Sequence, residues 1–180
     1  MLSGTGKDVQ VMENQVTLRF AVPDDAAAIR SIYEPYVLNT AVTSEYYVPT
    51  EEEFRARITR TRERYPYIVA VKDGQIIGYI YASPLSPRHA YSWAAETSIY
   101  IRQNVRRTGA GSRLYKALSA ICRKQNVLNL YVICTPFTGQ LVKGDFLCAI
   151  PMNSKNIALT CIGKGNILKH LKAFPKGVFA

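Results

Sequence analysis

Histidine and cysteine are scarce in this 180-residue chain, with two of the first and four of the second. The cysteines (Cys122, Cys134, Cys148 and Cys161) make no C-x-x-C pair and have no histidine cluster beside them. Neither a zinc site nor a disulfide framework is indicated, and no metal is expected. Reduced, buried thiols fit a cytoplasmic protein. No apolar run is long enough to span a bilayer, so no membrane is expected as a partner. The first 15 residues lack the apolar middle of a signal peptide, and they read as a loose leader before one domain over 16–180. Two phosphate-binding signatures are also missing: the dinucleotide G-x-G-x-x-G and the P-loop G-x-x-x-x-G-K-[ST].

Acidic residues are few, 13 against 23 lysines and arginines, which leaves a formal charge of +10. That excess suggests an anionic partner: nucleic acid, an acidic membrane or a polyphosphate cofactor. It is unevenly spread. Residues 1–122 hold fifteen basic and twelve acidic side chains, and the chain from Arg123 onward holds eight and one. Single lysines scattered along a tail read as a solvated surface. With no recognition module and no basic-aromatic strand face, no nucleic-acid partner is expected.

The ordered part begins with an alternating strand at 16–21. A helix follows, with Asp24 as its N-cap and Ala28, Ile29, Ile32 and Tyr33 on its apolar face; Pro35 should end or bend it. A loop with Tyr46 and Tyr47 leads to Thr50-Glu51-Glu52-Glu53, a capping box for a helix to about residue 64. Its arginines (Arg55, Arg57, Arg60, Arg62) read as a solvated face. Apolar runs on either side of Asp73-Gly74 predict a hairpin of 67–71 with 75–83. A strand at 129–134 closes the legible part, and 135–152 shows no clear period.

Between the hairpin and that last strand lies the stretch that organises the chain. Residues 93–101 form a strand rich in aromatic and β-branched residues, 102–111 a basic glycine-bearing turn, and the next residues an amphipathic helix with Leu114, Ala117, Leu118 and Ile121 on one face. A helix opening after Arg106-Arg107-Thr108-Gly109-Ala110-Gly111 turns free N–H groups and its positive dipole end toward whatever sits there. Two glycines allow close approach. That is a site for an anion, specifically a phosphate. In the strand, Glu96 is the only carboxylate between Asp73 and Asp145, and partial burial would raise it toward the useful range of a base. A glutamate on the wet face of an edge strand is the competing reading.

The turn R-x-x-G-x-G between strand and helix resembles the acetyl-coenzyme A loop of the GNAT N-acetyltransferases. Gly78-Tyr79-Ile80-Tyr81-Ala82-Ser83-Pro84, Arg88-His89-Ala90-Tyr91-Ser92-Trp93 and Glu96-Thr97-Ser98-Ile99-Tyr100-Ile101 are similar, in order and spacing, to the motifs of the phosphinothricin (methionine sulfoximine) acetyltransferase branch. Asn153-Ser154-Lys155-Asn156-Ile157-Ala158-Leu159 resembles that family's second cofactor motif. The resemblance spans about 17–159. It implies an α/β domain with a mixed, mostly antiparallel sheet flanked by helices, whose C-terminal strands are atypical or missing here. It implies transfer of acetyl from acetyl-CoA to a small amino-acid-like amine. In that scheme Glu96 is the base, and the backbone of Ile99, Tyr100 and Ile101 binds the pantetheine arm. Arg106, Arg107, Thr108, Gly109, Ala110, Gly111 and Ser112 hold the pyrophosphate, and Asn153 meets the arm. Arg88 and Tyr91 belong to the R-x-A-Y element beside the strand; arginine's planar fork suits the acceptor's carboxylate or phosphinate. A loop arginine in water is the alternative for Arg88.

Two departures matter. The family has Tyr or His where this chain has Thr160, whose hydroxyl is too weakly acidic to serve as general acid. His89 and Tyr131 carry no motif assigning them that role. The last 21 residues do not read as the family's final strand pair. An acyl-CoA-binding module without catalysis is therefore a second reading. A homodimer is left open as the assembly.

Overall fold

The computed structural model describes residues 16–40, 42–43, 45–134, 146–151 and 160–163. In chain order they form β1 (Thr17–Phe20), a short 3-10 turn at Pro23–Asp25, α1 (Ala26–Asn39), α2 (Glu51–Arg62), β2 (Tyr67–Lys72), β3 (Gln75–Pro84), β4 (Ala94–Ile101), α3 (Ala110–Lys124), β5 (Asn129–Cys134), β6 (Phe146–Pro151) and β7 (Thr160–Gly163). The seven strands lie in one sheet in sequence order. Every neighbouring pair is antiparallel except β4 with β5, which are parallel. A parallel pair needs a long crossover, and the turn at 102–109 with α3 supplies it. The expected mixed sheet flanked by helices is present.

Both sheet faces are covered, which explains why β2 reads as an unbroken apolar run (Tyr-Ile-Val-Ala-Val). Ile68 and Ala70 turn toward α3, joining Ile80, Ala82, Ala95, Leu114, Leu118 and Leu130. Tyr67 and Val69 turn the other way, toward Ile29 and Ile32 of α1 and Phe54 and Ile58 of α2. Full burial of each such aliphatic side chain contributes about 1.5–3 kcal/mol. Cys122, on the buried face of α3, is a free thiol, and burial pushes its pKa up to about 11. The hairpin between β2 and β3 turns on Asp73 (φ 51°) and Gly74 (φ 76°), both left-handed, as a two-residue type I′ turn demands.

Three expectations at the N-terminal half are corrected. Asp24 does not cap α1; it receives a bond from Arg55 at 2.8 Å. Asp25 precedes α1, and its carboxylate accepts two bonds from Arg19 (2.6 and 2.7 Å) and one from the Val22 N–H (2.8 Å). Pro35 does not end α1, which runs on to Asn39. Tertiary anchors on either side outweigh the lost helical bond: Ile32 and Tyr33 are buried, and the Tyr36 hydroxyl donates to the Ile101 carbonyl at 2.5 Å. Arg57 is no solvated side chain. It bonds Glu45 at 2.6 Å and lies over the Phe54 ring.

The capping box forms as read: the Glu53 N–H donates to Thr50 Oγ1, and the Thr50 N–H to Glu53 Oε2. At the other end of the chain β6 falls inside the stretch that shows no period, and β7 is only four residues long. The leader at 1–15, Asn153 and the motif at 153–159 lie outside the described residues.

Candidate active site

The parallel pairing of β4 and β5 is brief. It joins Ala94 to Asn129, Ala95 to Leu130 and Glu96 to Tyr131, and goes no further. From Thr97 to Ile101, β4 keeps β3 on one edge and has no strand on the other among the described residues. A strand edge of this kind offers a row of amide donors and acceptors to an extended ligand that carries amides of its own. Thr97 marks where the opening begins. It is 1% exposed, yet its hydroxyl has no partner among the described residues.

The open edge leads to the start of α3. Gly109 occupies the N-cap position with φ 71° and has no side chain to cap the helix, and Thr108 Oγ1 accepts a long bond of 3.4 Å from the Ala110 N–H. The first-turn N–H groups therefore have no acceptor inside the helix. No acidic residue stands in the first turn to offset the dipole, whereas Arg123 and Lys124 occupy the last. Arg107 is also left-handed (φ 58°), so left-handed residues flank Thr108 in a concave run of backbone that suits an anion. Arg106 and Arg107 are exposed and make no ion pair among the described residues. Gly111 serves packing: a Cβ there would meet Ile101 Cδ1 at 3.3 Å. Together the turn and the strand edge enclose a cavity of about 450 Å³, lined by Ile99, Ile101, Tyr36 and 105–112. Its donors fit a phosphate at one end and an apolar, amide-bearing chain along the other.

Glu96 lies on the opposite face of β4. Its neighbour Ala95 belongs to the α3 core, and Glu96 turns away from it, opposite Ser83 of β3. The carboxyl is half-buried, and burial pushes its pKa above the ordinary value. Along the same face Tyr81 pairs with Ser98, and burial raises the pKa of its phenol. Tyr81 stacks on Tyr67 with ring centroids 5.0 Å apart, and Tyr79 continues the stack. These rings, with Phe54, Arg57 and Ser83, line a second cavity of about 410 Å³ under α2. Burial keeps its phenols neutral: Tyr67 and Tyr79 titrate far above the usual phenol value, and Tyr33 is pushed up to about 12. The charges at this cavity come from Arg57, Arg60, Arg64 and Glu63, with Glu45 behind Arg57.

The structure brings part of the expected site together, and Glu96 lines neither cavity. Ile99, Ile101 and the turn residues Arg106, Arg107, Thr108, Gly109, Ala110, Gly111 and Ser112 share one cavity. Tyr100 does not line it; its ring packs edge-on against Tyr33 at 4.9 Å, on the other face. Arg88 and Tyr91 are exposed in the loop before β4 and line neither cavity. Tyr46 is 91% exposed, whereas Tyr33 lines the cavity under α2. Thr160 opens β7. Sequence reasoning missed Arg57, Glu45 and Tyr36. The alternation of Tyr67, Tyr79 and Tyr81 along two paired strands could have revealed the aromatic wall; nothing in the sequence pairs Arg57 with Glu45.

Among the described residues no group of three or more His, Cys, Asp or Glu could hold a metal, and no helix is long and apolar enough to cross a membrane. Comparison with known proteins adds a consistent pattern. The acetyltransferase (GNAT) domain family matches residues 18–137. A phosphinothricin N-acetyltransferase of Alcaligenes faecalis is 35% identical over 63% of this chain and 58% of its own length. A methionine sulfoximine/methionine sulfone acetyltransferase of Pseudomonas aeruginosa is 31% identical over 62% of this chain and 66% of its own. A GNAT-superfamily phosphinothricin acetyltransferase of Sinorhizobium meliloti, solved with AcCoA, superposes with a TM-score of 0.64 at 35% identity. That match covers 67% of this chain and 66% of that one. The chain thus spans between about half and two thirds of the relatives it matches.

Proposed function

Because the chain belongs to the GNAT acetyltransferase family, we propose that it transfers acetyl from acetyl-CoA to the amine of a small amino-acid-like acceptor of the phosphinothricin or methionine sulfoximine type. The observation that carries this reading is the open edge of β4 running into a helix start with no acidic residue in its first turn, with Glu96 at its inner end. Such an opening suits a long cofactor that is polyanionic at one end and amide-bearing along its arm. The names of the relatives support the choice of acceptor.

In this reading the N–H groups of Gly109, Ala110, Gly111 and Ser112, with Arg106, Arg107 and Thr108, hold the pyrophosphate. The backbone of Ile99, Tyr100 and Ile101 pairs with the pantetheine arm, and an amide there receives the oxyanion. Asn153 meets the arm as in the family pattern. Aligning thioester and amine across the sheet supplies the proximity term. Glu96, half-buried and raised, takes the proton that the amine sheds as it bonds to the carbonyl carbon. The aromatic cavity under α2 receives the acceptor's body. Its arginines favour an acceptor that carries an acid group, and the net charge of +10 disfavours polycationic ones. Arg88 and Tyr91, in the loop leaving the cavity-lining Pro84, would meet that acid group at the rim.

A thiol-release assay with acetyl-CoA across a panel of small amines tests this. Phosphinothricin and methionine sulfoximine should release thiol well above the acceptor-free rate, and an aminoglycoside should not. Coenzyme A binding without release from any amine would overturn the proposal.

A further inference from the structure

The acetyl-transfer reading leaves one role empty: the departing thiolate needs a proton. Thr160 cannot provide it. The sheet register runs Glu96, Tyr131, Ala149, Thr160 across four adjacent strands. At the usual 4.7–4.9 Å per strand, Thr160 stands about 14 Å from Glu96. Two other phenols stand elsewhere. Tyr36 donates to the Ile101 carbonyl, at the far end of the opening, and Tyr81, on β3, lines the aromatic cavity under α2. His89 sits exposed in the loop before β4.

One residue of β5 is placed for the task. Tyr131 is the partner of Glu96 in the last pair before β4 and β5 part. Leu130 and Val132, on either side of it, pack into the α3 core, so Tyr131 turns to the other face, as Glu96 does. It is partly buried. An arm lying along the free edge of β4 ends its reach at that pair, which puts the thioester beside both side chains. We propose that Tyr131 is the general acid of the reaction and that Glu96 and Tyr131 form one proton circuit.

The circuit balances. The neutral amine attacks the thioester carbonyl carbon, a C–N bond forms, and its surplus proton passes to the Glu96 carboxylate. The tetrahedral intermediate collapses, the C–S bond breaks, and the electron pair leaves on sulfur. Sulfur takes the Tyr131 proton. The phenolate then takes the proton that Glu96 holds, across one strand spacing. Both residues return to their starting states, with amide and free thiol as products. No outside acid is required.

The inference rests on the acetyl-transfer reading, and its test separates the two. Wild-type protein that releases no thiol from acetyl-CoA with any amine overturns that reading itself. Given wild-type turnover, Tyr131→Phe should lower kcat by about 10² or more while coenzyme A affinity, read by calorimetry, stays unchanged. Tyr131→His, which keeps a proton donor, should regain part of the loss, and it carries the comparison if the phenylalanine variant folds poorly. The double variant Glu96→Gln/Tyr131→Phe should be no slower than the slower single one, because residues acting as a unit are not additive. Unchanged kcat in Tyr131→Phe, or losses that multiply in the double variant, would overturn the proposal.

Discussion

Among the described residues burial alone acts on the Glu96 carboxyl, and it favours the neutral form. A carboxyl raised in this way binds protons more tightly folded than unfolded. Its ionised form therefore costs stability at neutral pH, and the cost fades as pH falls from the raised value toward the ordinary one. Glu96→Gln should leave the melting temperature at neutral pH unchanged or slightly higher, with the gap to wild type closing on acidification. Activity moves the other way, because catalysis needs the carboxylate. The acid limb of the pH–rate profile should lie above the ordinary carboxylate range, and Glu96→Gln should lose about 10² to 10⁴ in turnover with coenzyme A affinity unmoved. An unaltered rate and profile would remove Glu96 from the mechanism.

Asp25 shows the opposite balance. Burial pushes its carboxyl up, but the Arg19 bonds, the Val22 N–H and the Arg19 charge together hold it below the usual value. Its contribution is present above the unfolded value and is lost as pH falls through the lowered one. Arg19 is 46% exposed, so Asp25→Asn should cost only about 1–2 kcal/mol in urea unfolding near neutrality. That difference should vanish in acid. The two carboxylates also differ in how they could be read. Glu96 stood alone in an apolar strand, and its burial followed from that. Asp24 and Asp25 are equivalent in sequence, and only the position of Arg19 on β1 decides which is held.

The elements most legible in advance are those with local signals. The Thr50–Glu53 capping box, the Asp73-Gly74 turn and the face of α3 are each written within a few residues of where they act. Thr50→Ala should cost about 1 kcal/mol in thermal unfolding. Elements settled by distant contacts were not legible. α1 runs through Pro35 because Tyr36 is tied to Ile101, 65 residues away. β6 exists because β5 offers it an edge. The start of α3 combines both kinds. Its glycines mark a turn, but the reason for each is tertiary. Gly109 needs a left-handed φ of 71° and has open space around it, while Gly111 has Ile101 against it. Gly109→Val should therefore act through the backbone of the anion turn. Coenzyme A affinity should fall at least tenfold, about 1.4 kcal/mol, and the left-handed backbone should cost the unliganded fold about 1–3 kcal/mol as well. Calorimetry showing equal affinity would dissociate that turn from the cofactor.

At the scale of the whole molecule, charge alone does not single out the ligand. The excess of +10 would draw any polyanion, and most of it lies in the sequence beyond residue 122, outside the turn at 102–111. The two readings separate on how binding couples to stability. A ligand held by the turn and the β4 edge ties β4 and α3 together and binds only the folded chain. At a hundred times its dissociation constant, acetyl-CoA should stabilise by about 2.7 kcal/mol. For a chain of this size each kcal/mol moves the melting temperature by about 2–4 °C, so a rise of about 5–11 °C is expected. A polyanion attracted only by scattered lysines should give a small shift that disappears within physiological salt, since exposed charges are screened beyond about 8 Å. Raising the salt should therefore abolish the effect of a short oligonucleotide while leaving most of the acetyl-CoA shift. Gly109→Val should remove that remainder. Equal shifts from both ligands at physiological salt, or an acetyl-CoA shift that survives in Gly109→Val, would mean that the ligand is held by surface charge and not by the strand edge and helix start.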